Sequence, residues 1–167
     1  GRSAALRCVV KTGTPLPMAS FWRCAHQGDA ERLIELLDEG QDIDEYPPLG
    51  ESAYRPTALA YAVWGNQPEA VELLLERGAN PNLPDGDNNY YPLHWASYHN
   101  RPDCAELLVQ AGADLTVRTQ RGFTPLELAQ GKNELVSSKP GVVAVLEEAA
   151  REPALPWTPH TSQPSSP

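Results

Sequence analysis

Short apolar stretches at helical spacing recur along the chain, and each is bounded by residues that begin or end a helix. In one stretch Val71, Leu74 and Leu75 fall on one side of a helix. Pro68 stands at its start, where a missing N–H costs nothing, and Gly78 ends it as a left-handed cap would. Equivalent residues elsewhere are Pro102, Gly40 and Gly112. The pattern predicts a series of short helices.

The predicted helices belong to a repeated unit. Three segments align without gaps from residues 28, 66 and 100, so the period is 38 and then 34 residues. A second motif precedes each segment, and a fourth copy follows the last one. The copies are CAHQ from Cys24, TALAYAVW from Thr57, YPLHWASY from Tyr91 and TPLELAQG from Thr124. Each unit therefore predicts two helices, which cannot bury their apolar sides alone and must stack on neighbouring units. The connecting stretches Glu45–Pro56, Leu83–Tyr90 and Val117–Phe123 are rich in turn-forming residues, which predicts projecting turns.

These motifs resemble the ankyrin repeat. The likeness is carried by YPLH from Tyr91, TPLE from Thr124, and Gly-Ala-Asn-Pro-Asn and Gly-Ala-Asp from Gly78 and Gly112. It runs from about Phe21 to about Glu148, at the period of about 33 residues that is typical of the family. The resemblance implies an all-α ankyrin-repeat solenoid of stacked helix-turn-helix units with projecting turns, flanked by irregular N- and C-terminal tails.

The same comparison of segments predicts the domain organisation. A basic N-terminal arm covers residues 1–20, the ankyrin-repeat domain covers 21–150 with units at 21–56, 57–90, 91–123 and 124–150, and a Pro/Ser-rich tail covers 151–167. The first unit lacks the TPLH sequence and resembles an N-terminal cap. The last resembles a C-terminal cap whose two helices are separated by Asn133–Gly141, so the final helix is predicted to begin at Val142.

Composition and charge narrow the kind of partner. The net charge of −9 and the pI near 4.8 argue against nucleic-acid binding and favour protein partners, including basic ones. The longest apolar runs, such as Leu73–Leu75, are too short for a transmembrane segment, although a partner could be a membrane complex. Three cysteines without a CxxC pair indicate neither a disulfide framework nor a zinc site. We therefore expect an intracellular, reducing compartment.

The first 28 residues carry four basic residues and no acid. Such a start resembles the remnant of an organellar targeting region, which would place the protein in a plastid or mitochondrion after cleavage. A fragment boundary or a flexible arm explains the composition equally well.

The resemblance implies a concave surface for partner binding, and the ends of the first helices should face it. These positions are His26, Gln27, Trp64, Tyr98 and His99. Trp64 and Tyr98 are equivalent in successive units, so they predict an aromatic contact stripe. The alternative is ordinary packing between adjacent repeats. His94 fills the histidine position of the YPLH motif, which in ankyrin-like repeats joins neighbouring turns, and is interpreted as structural.

The turns add a predicted polar rim to this surface. Its residues are Tyr46, Tyr54, Arg55, Asp87, Asn88 and Tyr90. The alternative is a solvated turn chosen for its shape, because Asp-Gly-Asp-Asn is also favourable turn chemistry.

No motif of catalysis is present: GxSxG, the Walker loop, GxGxxG and HExxH are all missing from the sequence. We therefore predict no catalytic residue, no metal site and no cofactor. The leading hypothesis is a non-catalytic protein–protein interaction scaffold, a structural subunit of a larger assembly that binds through its concave face, turns and tails. The alternatives are a transient adaptor that recruits a client protein and a regulatory fragment of a multidomain enzyme.

Overall fold

The computed structural model describes residues 20–48, 54–86, 88–132 and 138–151, and in these ranges all the regular secondary structure is helical. The helices are α1 (Ser20–Gln27), α2 (Ala30–Asp38), α3 (Ala58–Trp64), α4 (Pro68–Glu76), α5 (Pro92–His99), α6 (Pro102–Gln110), α7 (Pro125–Ala129) and α8 (Pro140–Arg151). The predicted arm and tail lie outside these ranges except for Ser20 and Arg151. The all-α fold class predicted from the repeats is confirmed.

The helices form four antiparallel pairs stacked in two layers. Helices α1, α3, α5 and α7 contact one another in that order and form the first layer. The second layer is α2, α4, α6 and α8, again with successive contacts. None of the helices in the described ranges has the length and apolar character needed to cross a bilayer.

One continuous apolar core lies between the layers. Leu59 of α3 and Leu93 of α5 occupy equivalent positions and are fully buried, as are Leu74 of α4 and Leu108 of α6. Each buried leucine contributes about 1.5–3 kcal/mol relative to an exposed one. Because the equivalent residue of every pair faces the next pair, stacking explains why the sequence repeats.

Most helix ends lie where the sequence predicts them. Pro68 and Pro102 are the first residues of α4 and α6. Gly40, Gly78 and Gly112 follow the second helices with φ between 84° and 99°, the left-handed conformation predicted for them. The last helix is an exception, because α8 begins at Pro140 and not at Val142. The predicted loop Asn133–Gly141 is therefore too long: a proline is compatible with the first turn of a helix, where its N–H is not required.

Side-chain hydrogen bonds join the turns of successive repeats. Asp44 accepts a hydrogen bond from the Asn80 N–H at 3.0 Å, and Asn82 accepts one from the Asp114 N–H at 2.8 Å. The Asn82 amide also donates to the Gly112 carbonyl at 3.2 Å. These bonds hold the projecting turns side by side, and they explain the Asp and Asn residues at these positions.

Candidate protein-binding site

A cavity of about 370 Å³ opens where the turns meet the first-layer helices of the second and third repeats. Its floor comes from the C-terminal ends of α3 and α5, and its walls come from the three turns around them. The lining residues are Tyr54, Trp64, Asp85, Asn88, Tyr90, Trp95, Tyr98, His99, Gln120 and Arg121. The cavity is thus a concave surface formed mainly by the second and third repeats, with Tyr54 added from the first.

Three nearly parallel rings form the floor. Trp64 stacks on Trp95 with 5.3 Å between ring centroids, and Trp95 stacks on His99 at 5.7 Å. Trp64 and His99 lie 5.8 Å apart, and the interplanar angles of all three pairs are 15° or less. The stack crosses from α3 to α5, so it also helps to pack one repeat on the next.

Tyrosines from the turns and from α5 complete the walls. Tyr54 lies edge-on to Trp95 at 5.8 Å, and Tyr90 is tilted against the same ring at 5.6 Å. Tyr98 lies edge-on to Tyr90 at 6.5 Å. Tyr54 is 44 % exposed and Tyr98 is 37 % exposed, whereas Trp95 is only 6 % exposed. The tyrosines therefore present the accessible aromatic surface, and the tryptophan supports it.

Asp85 fixes the shape of the turn that carries Tyr90. One of its carboxylate oxygens accepts hydrogen bonds from the Asn88 N–H at 2.9 Å and the Tyr90 N–H at 3.2 Å. The Asp85 N–H in turn donates to the Tyr90 carbonyl at 2.7 Å. Only 4 % of Asp85 is exposed. This aspartate is therefore mainly part of the turn structure.

Burial keeps the histidines of α5 neutral near pH 7. Burial is the largest cause that lowers the pKa of His99 to about 4, and electrostatic interactions with Arg101, Lys139 and His26 contribute to the same shift. Burial also lowers the pKa of His94 to about 4. His94 accepts from the Tyr91 N–H through Nδ1 at 3.2 Å, and its Nε2 donates to the Phe123 carbonyl at 3.0 Å. The predicted structural role of His94 in joining two turns agrees with this geometry.

The cavity brings together six of the residues predicted from the sequence to bind a partner. They are Tyr54, Trp64, Asn88, Tyr90, Tyr98 and His99. His26 lies beside the cavity, with its ring edge-on to Trp64 at 5.5 Å. Gln27 is exposed at the end of α1 and does not line the cavity, and Asp87 lies outside the described residues.

Two further predicted residues, Tyr46 and Arg55, lie in contacts between turns. The Tyr46 hydroxyl donates to the Pro84 carbonyl at 2.9 Å. The Arg55 guanidinium lies 5.6 Å from the centre of the Tyr46 ring, and its Nε donates to the Pro47 carbonyl at 3.1 Å. These contacts tie the first long turn to the second. Both residues remain predictions as partner contacts.

The other four lining residues are not among the predicted partner contacts: Asp85, Trp95, Gln120 and Arg121. Most of the Trp95 side chain is buried. Gln120 and Arg121 belong to the turn that follows α6, at the end of the third unit. A helix-end signal could not have identified that turn, because it reaches the cavity only through the stacking of repeats.

The described residues offer little support for catalysis or for metal binding. Burial raises the pKa of Cys104 to about 11, so its thiol stays protonated and unreactive. Within the described ranges, no group of three or more His, Cys, Asp or Glu side chains lies close enough to hold a metal ion. The arrangement is suited to binding an extended or side-chain ligand.

A family model of ankyrin repeats, with three copies, matches residues 21–119. The match covers more than half of the chain, so the chain belongs to the ankyrin repeat family. Ankyrin repeats mediate interactions between proteins and are generally non-catalytic.

Relatives with known names share the repeats in different settings. Cyclin-dependent kinase inhibitor 2A of Monodelphis domestica is 34 % identical over 128 residues, which are 77 % of this chain and 68 % of that protein. A BTB/POZ domain and ankyrin repeat-containing protein of Lotus japonicus is 35 % identical over 108 residues, or 64 % of this chain and 20 % of that protein. A palmitoyltransferase of Drosophila melanogaster is 30 % identical over 100 residues, which are 60 % of this chain and 15 % of that protein. The chain thus spans a fifth or less of the last two relatives.

Proposed function

We propose that this chain is a non-catalytic scaffold that holds a protein partner in the cavity between its second and third repeats, as a subunit of a larger assembly. The observation that supports this function is the cavity itself, whose walls are aromatic rings contributed by adjacent repeats. Its volume lies at the lower end of the range for ligand sites, which suits the insertion of one or two side chains.

The type of exposed residue also favours a protein interface. Tyr54 and Tyr98 are the exposed large hydrophobic residues of the described part of the chain, and both line the cavity. Tyrosine and tryptophan contribute strongly to binding because they bury a large area at a small cost in side-chain entropy. The stacked rings beneath are fixed before a partner arrives, so binding orders few additional groups.

A transient adaptor is the second candidate. The relative from Monodelphis domestica is named as an inhibitor of cyclin-dependent kinase, and the likeness covers 68 % of it. A short ankyrin protein of this kind can act by binding and release. For either function we propose an intracellular, reducing location on the basis of the cysteine usage, with an organelle as the alternative.

Substitution of Tyr98 tests the proposed function. The full chain, wild type or Tyr98→Ala, is returned to its native source, purified with its partner and cross-linked for mass spectrometry. We expect the partner recovered with Tyr98→Ala to fall by about tenfold. Glu72→Ala, an exposed residue of α4 in the second layer, is the matched control and should recover as much partner as wild type.

Salt separates the two candidates in the same purification. A permanent interface is large and apolar, so its partner should stay bound at high salt, whereas a charge-dependent adaptor should lose its partner. Equal recovery of the partner by Tyr98→Ala and wild type, or cross-links confined to the second layer, would contradict the cavity as the binding site.

A further inference from the structure

Three polar nitrogens that the described part of the protein does not satisfy lie in or near the floor of the cavity, where Trp95 and His99 are lining residues and Arg101 is not. The Trp95 indole Nε1, the His99 Nε2 and the Arg101 Nε are all buried, and none has a hydrogen-bond partner within the described ranges. They lie within seven residues, from α5 to the start of α6. Indole and guanidinium nitrogens only donate, and the His99 Nε2 can donate. This segment therefore places donors beneath the cavity surface, where their dipoles favour negative charge nearby.

The accessible charge around the cavity is positive. Arg121 is exposed and lines the rim. Arg101 and Lys139 lie close enough to His99 to disfavour its protonation. The acidic residue of the lining, Asp85, is 4 % exposed, and one of its oxygens accepts two N–H groups of its own turn. A net charge of −9 for the whole chain predicts a basic partner, but the local charges favour an acidic group here.

The remaining walls are apolar and aromatic. The stacked floor of Trp64, Trp95 and His99 and the tyrosines around it offer area for an apolar side chain. A ligand that fits both the positive rim and the apolar walls has an aromatic or aliphatic side chain beside a carboxylate. A purely cationic side chain fits less well, because Arg121 would repel it.

We propose that the cavity binds a short segment of its protein partner in which an aromatic or aliphatic residue stands next to Asp or Glu. The apolar side chain enters between Tyr98, Tyr90 and the stacked floor. The neighbouring carboxylate pairs with the exposed Arg121 at the rim, above a floor that holds the Trp95 and His99 nitrogens. This inference rests on the proposed function, because it identifies the chemistry of the partner at the same site.

Synthetic peptides test the proposal with the full chain. The probes are acetylated and amidated peptides that carry Phe between two Glu residues, Phe between two Lys residues, or Ala between two Glu residues, flanked by Gly and Ser. Binding is followed by the fluorescence of tryptophan, since Trp64 and Trp95 form the floor and the peptides contain none. The Glu-Phe-Glu peptide should bind at least about fivefold more tightly than either of the others.

Charge reversal at the rim provides the matched comparison. Arg121→Glu should weaken the binding of the Glu-Phe-Glu peptide by about fivefold and strengthen the binding of the Lys-Phe-Lys peptide. Arg151→Glu makes the same change of charge on the exposed end of α8 and should alter neither. Circular dichroism and thermal melting of each variant show whether it is folded.

The possible results test the acidic-apolar motif separately from the proposed scaffold function. Tighter binding of Lys-Phe-Lys, or no binding of any peptide up to about 2 mM, overturns the acidic-apolar motif. Either result leaves the scaffold function standing if Tyr98→Ala still loses the native partner. If Tyr98→Ala retains that partner, the proposed function itself fails, whatever the peptides do.

Discussion

Among single residues, Trp64 and Tyr98 occupy equivalent positions in successive repeats but lie in different surroundings. Tyr98 is 37 % exposed at the cavity, with edge-on neighbours in Tyr90 and His99. Trp64 is half-buried and contacts the rings of His26, Tyr61, Trp95 and His99. Tyr98 therefore keeps the exposure that a partner contact requires, and its contact role stays a prediction. Trp64 packs between two repeats.

Alanine substitution should separate these two roles. Tyr98→Ala removes an exposed ring, so we expect its melting temperature to stay within about 1 °C of wild type. Trp64→Ala removes the ring that stacks on both Trp95 and His99 and should lower the melting temperature by about 5 °C. Thermal unfolding followed by circular dichroism measures both. A large fall for Tyr98→Ala would mean that this ring is part of the core.

His94 makes stability depend on pH in a predictable direction. Its pKa is about 4 in the folded protein and near 6.5 when exposed, so the folded state binds fewer protons between those values. The stabilising effect of the neutral, hydrogen-bonded ring is complete above pH 6.5. It decreases as the pH falls toward 4, by about 3 kcal/mol in all.

Urea unfolding at several pH values between 7.5 and 5 measures this dependence. His94→Asn should be less stable than wild type at pH 7.5 by about 3 kcal/mol, because the Tyr91 N–H and the Phe123 carbonyl lose a buried partner. Below pH 6.5 the free energy of unfolding of this variant should also depend less steeply on pH, by about 1 kcal/mol per pH unit. An unchanged slope would show that His94 protonates without cost.

At the scale of helices, the close approach of α1 and α3 depends on Gly65. This glycine has an ordinary φ of −67°, so its backbone conformation does not require glycine. A Cβ built there would lie 1.9 Å from the His26 carbonyl oxygen, which is backbone and cannot move alone. The absence of a side chain therefore allows the two helices to pack.

Gly65→Ala should destabilise the protein by about 3 kcal/mol, because α1 must move away from α3. Gly40→Ala is the informative comparison. Gly40 has a φ of 99° but open space around the new Cβ, so only backbone strain of about 1 kcal/mol is expected. Urea unfolding of both variants gives the two free energies. Equal losses would show that conformation, and not the clash with His26, governs Gly65.

Features that depend on residues close together in the sequence could be predicted, and features that depend on the stacking of repeats could not. Proline and glycine act locally, so Pro68, Pro102, Gly78 and Gly112 revealed the ends of the helices. The start of α8 was predicted two residues late because Pro140 was assigned to the loop. Arg121 was missed at the cavity because it lies in the turn between α6 and α7, far along the sequence from the helix ends that predicted the site. Its place there depends on how far each repeat is displaced from the last, which no local motif encodes.

Across the whole molecule, stability is expected to vary along the stack. Each pair contacts only its neighbours, so the central pairs have two packed faces, whereas the pairs at the ends of the described stack have one. The cavity lies between the second and third pairs, where the stack is supported on both sides. Its aromatic floor is thus placed in the part of the chain that opens least often.

Two leucine substitutions test this gradient by hydrogen exchange and mass spectrometry on the full chain. Leu146 of α8 and Leu74 of α4 are both buried, at 2 % and 0 % exposure, so each change to alanine removes a similar core contact and costs about 2–5 kcal/mol. Leu146→Ala should speed exchange in α7 and α8 and leave α3 and the floor of the cavity almost unchanged. Leu74→Ala should speed exchange throughout, because the central pair connects the two ends. If both variants accelerate every helix equally, the stack unfolds as one unit, and a partner bound at the centre would stabilise the ends as strongly as its own site.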